Sequence, residues 1–444
     1  MSNSLGRSTL IAYSAPSLVT SVAALPMVLF VPAYYADTLG LPLAAVGIAI
    51  AFSRLLDVVT DPLIGVMSDR LQMPLGRRKF WMVMGVPLFG YALWKVFVPG
   101  DSATPIYLAT WSAFLYLGFT MIDLPHKAWG AELSADYDER SRVTSWREAI
   151  STAGQVALLA SLVWLAGHGV QDAGAQLKWI ATAIAFGLPA MMLLCVLSVR
   201  EGKGDVLVQA RPRAISGLKI VVLNPAFLRM VGCVLFFVSG IAVQGTLHRM
   251  ILSDVMGDES RFTSMILFEN IATLAGVPLW LWISTRIGKH RALIAAALWI
   301  AVWSLPLVVL RAGDADVLVV LITIRGSSFA SILFLANSIA ADVIDVDTLE
   351  AGEQRSGLFF SAWGMVTKLS LAFGILIGTT LPAALGYEPS VGATSPEIET
   401  RLMAIYGIVP AGLMAVGVLF LLNFPITRER HAEVQLALSK LRGL

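Results

Sequence analysis

The sequence predicts an all-α integral membrane protein of twelve transmembrane helices in two pseudo-symmetric six-helix bundles. Three observations predict it. The 444 residues are 57% hydrophobic and only 14% charged, with a mean hydropathy of +0.75. Soluble domains carry about 25% charged residues, and a water-exposed fold of this length could not bury so much apolar surface. Apolar runs of the roughly 20 residues needed to cross the hydrocarbon recur along the whole chain. The longest polar break, "VREGKGDVLVQARPRAISGLK" at 199–219, divides those runs six and six.

Taken in order, the runs centre near Ala24, Ile50, Leu88, Leu115, Leu158, Ala185, Phe236, Ala272, Ile300, Ile332, Phe373 and Met414. Helix is the expected state of each, because a spanning segment must satisfy its own backbone polar groups. The first run continues to about Tyr35, too long for a removable signal segment, so it is read as retained. Lys and Arg fix the orientation. They crowd the connections after the second, sixth and eighth spans and the tail: Arg70, Arg77, Arg78 and Lys79; Arg200 to Lys219; Arg286, Lys289 and Arg291; Arg428 to Arg442. Both termini are therefore expected in the cytoplasm, in a bacterial-type inner membrane. The halves also echo each other, "SDRLQMPLGRRK" answering "STRIGKHR" and "DYDERSR" answering "LEAGEQRSG". The expected domains are a bundle over 1–199, a cytoplasmic linker over 200–222, a bundle over 223–427 and a tail over 428–444. Repeats of this kind imply a carrier whose solute site lies between the halves.

Other classes find little support. A net charge of +2 gives no sign of nucleic acid. Cys195 and Cys233 lie in apolar runs without metal-ligand spacing and are read as inert core. The five histidines are scattered and no nucleophile–base motif occurs, so no enzyme and no cofactor is expected. The tail is too short for an added signalling domain. The expected partners are the lipid bilayer, a small solute and a coupling ion, with the chain a monomer.

Charges inside the apolar runs are the candidate site, since each costs about 2.5–3.5 kcal/mol at the bilayer centre. In "RLLDVVTDPLIG", Arg54, Asp57 and Asp61 fall at i, i+3 and i+7, one face of a helix. An Arg–Asp pair alone would leave one carboxylate over, and two carboxylates a turn apart make an oxygen cage for Na+ or a site for H+. In "FTMIDLPHKAWG", Thr120, Asp123 and Lys127 share a face in the same way. Thr120 offers a further oxygen, while Asp123 and Lys127 either touch a polar solute or pair with each other. Arg147, opening the fifth span, either forks onto the solute's oxygens or snorkels. Lys368 is an isolated intramembrane cation with no acid on its own helix, so it is expected to reach an Asp of the first half. Glu269, Asn270 and Arg325 are further polar intrusions of unassigned depth. The acidic "ADVIDVDTLEAGE" reads as a solvated loop.

"DVVTDPLIG" with "SDRLQMPLGRRK", "FTMIDLP", "ADVID" and "WGMVTKL" resembles, over nearly the whole chain, the glycoside–pentoside–hexuronide:cation symporters. These are the melibiose permease-like carriers of the major facilitator superfamily. The resemblance implies that Asp57, Asp61 and Thr120 bind the coupling cation and that Asp123 and Arg147 bind sugar. It places Lys368, with Arg54, in the charge network around the cation. It also makes the loop bearing Asp69, Arg70, Gly76, Arg77 and Arg78 a cytoplasmic gate. Two positions depart from the family. Ser21 stands where a first-span sugar-binding acid is expected, and Lys127 where a stacking Trp is expected. One acid lost and one cation gained shift the pocket toward an anionic sugar. The expectation is cation-coupled symport, Na+ or H+, of a sugar or sugar derivative by alternating access. The alternative is a carrier of a lipid-like amphiphile.

Overall fold

Runs this apolar leave the backbone no water to bond, and helix follows. The computed structural model of the chain describes residues 5–71, 74–100, 103–133, 137–200, 224–351, 356–389, 395–426, 429–430, 433–434 and 436–437. The predicted linker, apart from its first residue, and most of the predicted tail lie outside these residues. So do the side chains of Asp57, Asp69 and Arg70.

Among the described residues, twelve helical rods are long and apolar enough to cross a membrane. In order they are Arg7–Leu29, Leu43–Gly65, Lys79–Phe97, Pro105–Gly130, Arg142–Gly167, Ala173–Ser198, Pro225–Val255, Arg261–Ile287, Lys289–Val309, Ala315–Glu350, Ala362–Ala384 and Pro396–Leu421. Every centre expected from hydropathy falls inside its rod. Local chemistry sets several starts. Thr104, Asn224 and Ser395 each accept a backbone N–H three residues on, and Pro follows at the first helical position of the fourth, seventh and twelfth spans.

The chain divides into two compact units, Met1–Leu207 with Glu388–Gly392 and Val208–Tyr387 with Ala393–Leu444. Within the first unit, the first span packs on the fifth and sixth, the third on the fourth and sixth, and the second on the fourth. Within the second unit the same pairings recur six spans later: seventh on eleventh and twelfth, ninth on tenth and twelfth, eighth on tenth. The sequence echo between the halves is thus matched by equivalent packing inside each. Phe227, Phe237, Ile300, Ile339, Phe359 and Met414 centre the apolar core of the second unit. Cys195 and Cys233 are both buried and free.

Two rods are interrupted. The second turns at Leu56, between the helices Leu43–Leu55 and Asp57–Arg70, where the Leu56 carbonyl takes the N–H groups of both Val59 and Thr60. Pro62 in the following turn withholds the N–H that a regular helix would send back to Val58, a usual cause of such a bend. The tenth breaks at Ser327 and Ser328, between Ala315–Gly326 and Phe329–Ala351. One expectation is corrected here. The acidic stretch at 341–351 is helix rather than loop, and Asp342 is buried, its two oxygens each 2.7 Å from Lys289 Nζ. Period-3.6 spacing of Val343, Ile344 and Asp347 continues the helix, and the lysine neutralises the carboxylate it buries.

Candidate functional site

The bend at Leu56 divides the face expected of a single helix. Arg54 closes the first segment, buried, with its guanidinium 4.1 Å from the centre of the Tyr116 ring. Asp57 and Asp61 belong to the second segment. Asp61 reaches the fourth span, where the Thr120 hydroxyl donates to its Oδ1 at 2.8 Å. The sequence therefore brings together a carboxylate of the second span and a hydroxyl of the fourth, 59 residues apart. Both present oxygen atoms, the donors that small hard cations prefer. Thr120 is itself buried, so the carboxylate–hydroxyl pair is sheltered from water on that side.

One turn further along the fourth span, Lys127 Nζ lies 2.5 Å from Asp123 Oδ2, the i, i+4 pairing that the spacing allows. Lys127 remains half exposed, 51% of its side chain against 23% for Asp123. Arg147, on the fifth span, is 14% exposed and donates to Glu148 Oε1 at 2.5 Å, while Glu148 is 62% exposed. Arg147 also lies close enough for its charge to act on Asp123 and on Tyr13 of the first span. Asp123, Lys127, Arg147 and Glu148 thus form one neighbourhood of two cations and two anions, in which Asp123 and Arg147 are the more buried members and Lys127 and Glu148 the exposed ones.

Ser21 is engaged in packing. Its hydroxyl donates to the Ser151 carbonyl at 2.9 Å, joining the first and fifth spans. The contact sits beside Gly154, where a Cβ would stand 2.1 Å from the Leu18 carbonyl oxygen, so only glycine lets the two backbones approach this closely. Lys368 is half-buried on the eleventh span. In the basic loop, Gly76 turns the chain at φ 109°, a conformation open to glycine. Arg78 is buried and donates from Nη1 to Ser68 Oγ at 3.0 Å, tying the loop back to the end of the second span. Arg77 is half-buried beside it.

Sequence reasoning passed over a second contact of the first span. The Tyr13 hydroxyl donates to the His126 carbonyl at 2.7 Å, and His126 Nε2 lies 2.7 Å from the Tyr13 carbonyl. Trp129 stands edge-on to the same tyrosine, and Lys79 sits 5.3 Å from the Trp129 ring centre while donating to the Val196 carbonyl at 2.8 Å. His126 lies inside the quoted "MIDLPHKAWG". Its partner, 113 residues earlier, leaves no local signal.

Residues 12–428 match the family model described as MFS/sugar transport protein. The glucuronide carrier protein homolog of Escherichia coli (strain K12) is 22% identical, covering 98% of this chain and 96% of the relative. The sodium-dependent lysophosphatidylcholine symporter 1 of Gallus gallus is 24% identical, covering 93% and 85%. A solved structure of a D-xylose–proton symporter superposes with a TM-score of 0.68 at 13% identity, covering 95% of this chain and 98% of that one. With twelve spans among the described residues, internally repeated packing and a family match across almost its whole length, the chain belongs to the MFS/sugar transport protein family of the major facilitator superfamily and is a membrane transporter.

Proposed function

We propose that this protein couples the movement of a small cation, Na+ or H+, to that of an anionic sugar derivative, by alternating access, with both termini in the cytoplasm. The observation that carries the reading is the Asp61–Thr120 contact of 2.8 Å, which gathers acceptor oxygens from two spans at a point where an isolated carboxylate is costly. A cation held there takes Asp61 as its counter-charge, with Asp57 one turn away as the second carboxylate. Arg54, on the segment just before, then balances the site when it is empty. Coupling requires cation and solute to favour each other's binding, typically by about 1–3 kcal/mol.

Two cations, Lys127 and Arg147, beside Asp123 support the anionic solute, because the exposed Glu148 is an exchangeable partner. A carboxylate or sulfonate can replace the exposed Glu148 on the Arg147 fork and take a further contact from Lys127. The chain's similarity to a glucuronide carrier homolog supports the same class. The second reading, a lysolipid-like amphiphile, is favoured by the similarity to a lysophosphatidylcholine symporter at comparable identity.

Thermal unfolding of the purified protein against neutral sugars, sugar acids and lysophospholipids, with and without sodium, separates the two. A solute at about 100 times its dissociation constant adds roughly 2.7 kcal/mol. Stabilisation by a sugar acid, changed by sodium or by pH, is expected. Stabilisation by lysophospholipid alone would replace the sugar reading.

A further inference from the structure

Four polar side chains from four spans meet inside the second unit, and the proposed symport uses none of them. His248 comes from the seventh span, Glu269 from the eighth, Arg325 from the tenth and Tyr406 from the twelfth. Their exposures are 2%, 6%, 0% and 0%. Arg325 Nη2 donates to Glu269 Oε1 at 2.8 Å. The other carboxylate oxygen, Oε2, lies 3.8 Å from His248 Nε2, and His248 Nδ1 lies 2.5 Å from the Tyr406 hydroxyl. The four form a line, Arg325–Glu269–His248–Tyr406, across the bundle.

The packing is built to make this line. The break after Gly326 leaves Arg325 in the last turn of the first half of the tenth span. Gly276 admits the Ser327 carbonyl, which would stand 1.8 Å from a Cβ, and the Thr273 hydroxyl donates to the Gly326 carbonyl at 2.8 Å. These contacts hold the eighth span against the tenth where Glu269 and Arg325 face each other.

Stability alone is a weak reason to keep such a pair, because replacing a buried pair by apolar side chains is often neutral or stabilising. Here Nε and Nη1 of Arg325 are buried with no hydrogen-bond partner among the described residues, and its guanidinium lies 4.6 Å from the centre of the Phe329 ring. Carboxylates at this depth commonly mark an ion or proton path. A metal cation does not suit this one. The carboxylate is flanked by a guanidinium and an imidazole, which bring positive charge and nitrogen rather than the oxygen cage a hard cation needs. A proton suits it. Oε2 has its acceptor capacity open toward a ring that can carry a proton on either nitrogen.

We propose that Glu269 is a proton-binding site of the second bundle, with Arg325 as its counter-charge and the Tyr406–His248 pair as the relay. In the step, the His248 ring and Glu269 close their 3.8 Å separation to hydrogen-bond distance, the Tyr406 O–H and His248 Nε2–H bonds break, and the Nδ1–H and Glu269 Oε2–H bonds form. The ring ends neutral in its other tautomer, and a hydronium ion from solvent re-protonates the Tyr406 oxygen and leaves as water. Glu269 becomes a neutral carboxyl and its hold on Arg325 weakens. The remaining charges nearby are otherwise engaged. Arg249 is paired with Glu259 and lies over Phe262, and the ninth span carries Lys289, His290 and Arg291 at its opposite end. The site is separate from Asp61 and stands whether or not the first-bundle cation reading holds.

Infrared difference spectra of the purified full-length protein between about pH 5 and about pH 8 test this directly. The wild type should show a carboxyl C=O band that titrates and is missing from Glu269→Gln. His248→Gln, which keeps the carboxyl, should move that titration by about one pH unit or more, roughly tenfold in proton concentration. Asp61→Asn should leave the Glu269 band in place. Identical difference spectra from wild type and Glu269→Gln would overturn the proposal. If Glu269→Gln does not fold, His248→Gln decides, and an unmoved titration overturns it equally.

Discussion

Gly276→Ala tests whether the eighth and tenth spans are as close as their backbones imply. A Cβ at this position would stand 1.8 Å from the Ser327 carbonyl oxygen and 2.8 Å from its carbon, both backbone atoms that cannot swing aside. The spans must therefore part by about 1.6 Å to reach an ordinary 3.4 Å contact. That movement carries the Thr273–Gly326 hydrogen bond, now 2.8 Å, beyond reach and loosens the Arg325–Glu269 pair. Overpacking of this kind costs about 1–3 kcal/mol and a lost hydrogen bond about 1 kcal/mol. Against this, alanine gains up to about 1 kcal/mol over glycine inside a helix. The net loss is about 2 kcal/mol, or roughly 4–8 °C for a cooperative unit of some 200 residues. Thermal unfolding of the purified protein reads it. Gly412→Ala, at a helical glycine with nothing within 4 Å of the added Cβ, is the control and should be neutral or slightly stabilising. Equal stability of the two variants would refute the close approach on which the buried line of polar residues depends.

Three other outcomes follow from the same reasoning. Ser21→Ala should lower thermal stability by roughly 0.6 kcal/mol, the usual worth of an interhelical hydrogen bond in a membrane, and leave transport intact; a large loss of transport at unchanged stability would make Ser21 a solute contact instead. Lys127→Ala should raise the half-saturation concentration for a sugar acid about tenfold, about one charge-assisted hydrogen bond, while a neutral sugar is unaffected; unchanged transport of the acid would remove Lys127 from the site. Lys289→Met, which strands the buried Asp342, should destabilise by about 1–3 kcal/mol, and adding Asp342→Asn should restore most of that; a double variant as unstable as the single would mean the pair is not what holds the ninth and tenth spans together there.

The twelve rods were legible because hydropathy at this length leaves the backbone one solution. The Asp123–Lys127 pairing was legible because helical spacing puts i and i+4 on one face, whereas Asp61 and Thr120 stood out only as polar residues in apolar runs and their contact across two spans did not. The bend at Leu56 had a visible cause in Pro62 but not a visible place, since a proline disturbs the whole turn before it. The stretch after Asp342 was misread because its charges outweighed the apolar residues between them. Contacts that depend on the fold left no trace in the chain order. Tyr13 with His126, Ser21 with Ser151, and Glu269 with Arg325 join residues from 56 to 130 positions apart. The isolated polar residues could be seen in the sequence, but their partners could not. What distinguished them afterwards was burial: an arginine with no exposure and two nitrogens unpartnered among the described residues is a different object from an arginine near a membrane surface.

The central claim is that Asp61 holds the coupling cation, and accumulation by an Asp61→Asn variant tests it most directly. With the solute identified by the stability screen, wild type and variant are reconstituted into vesicles carrying an inward cation gradient, and the solute is measured on both sides at steady state. The account predicts that the wild type concentrates the solute, while the folded variant brings it only to equal concentrations, transporting without coupling or not at all. An Asp61→Asn protein that still accumulates solute against its gradient would contradict the assignment.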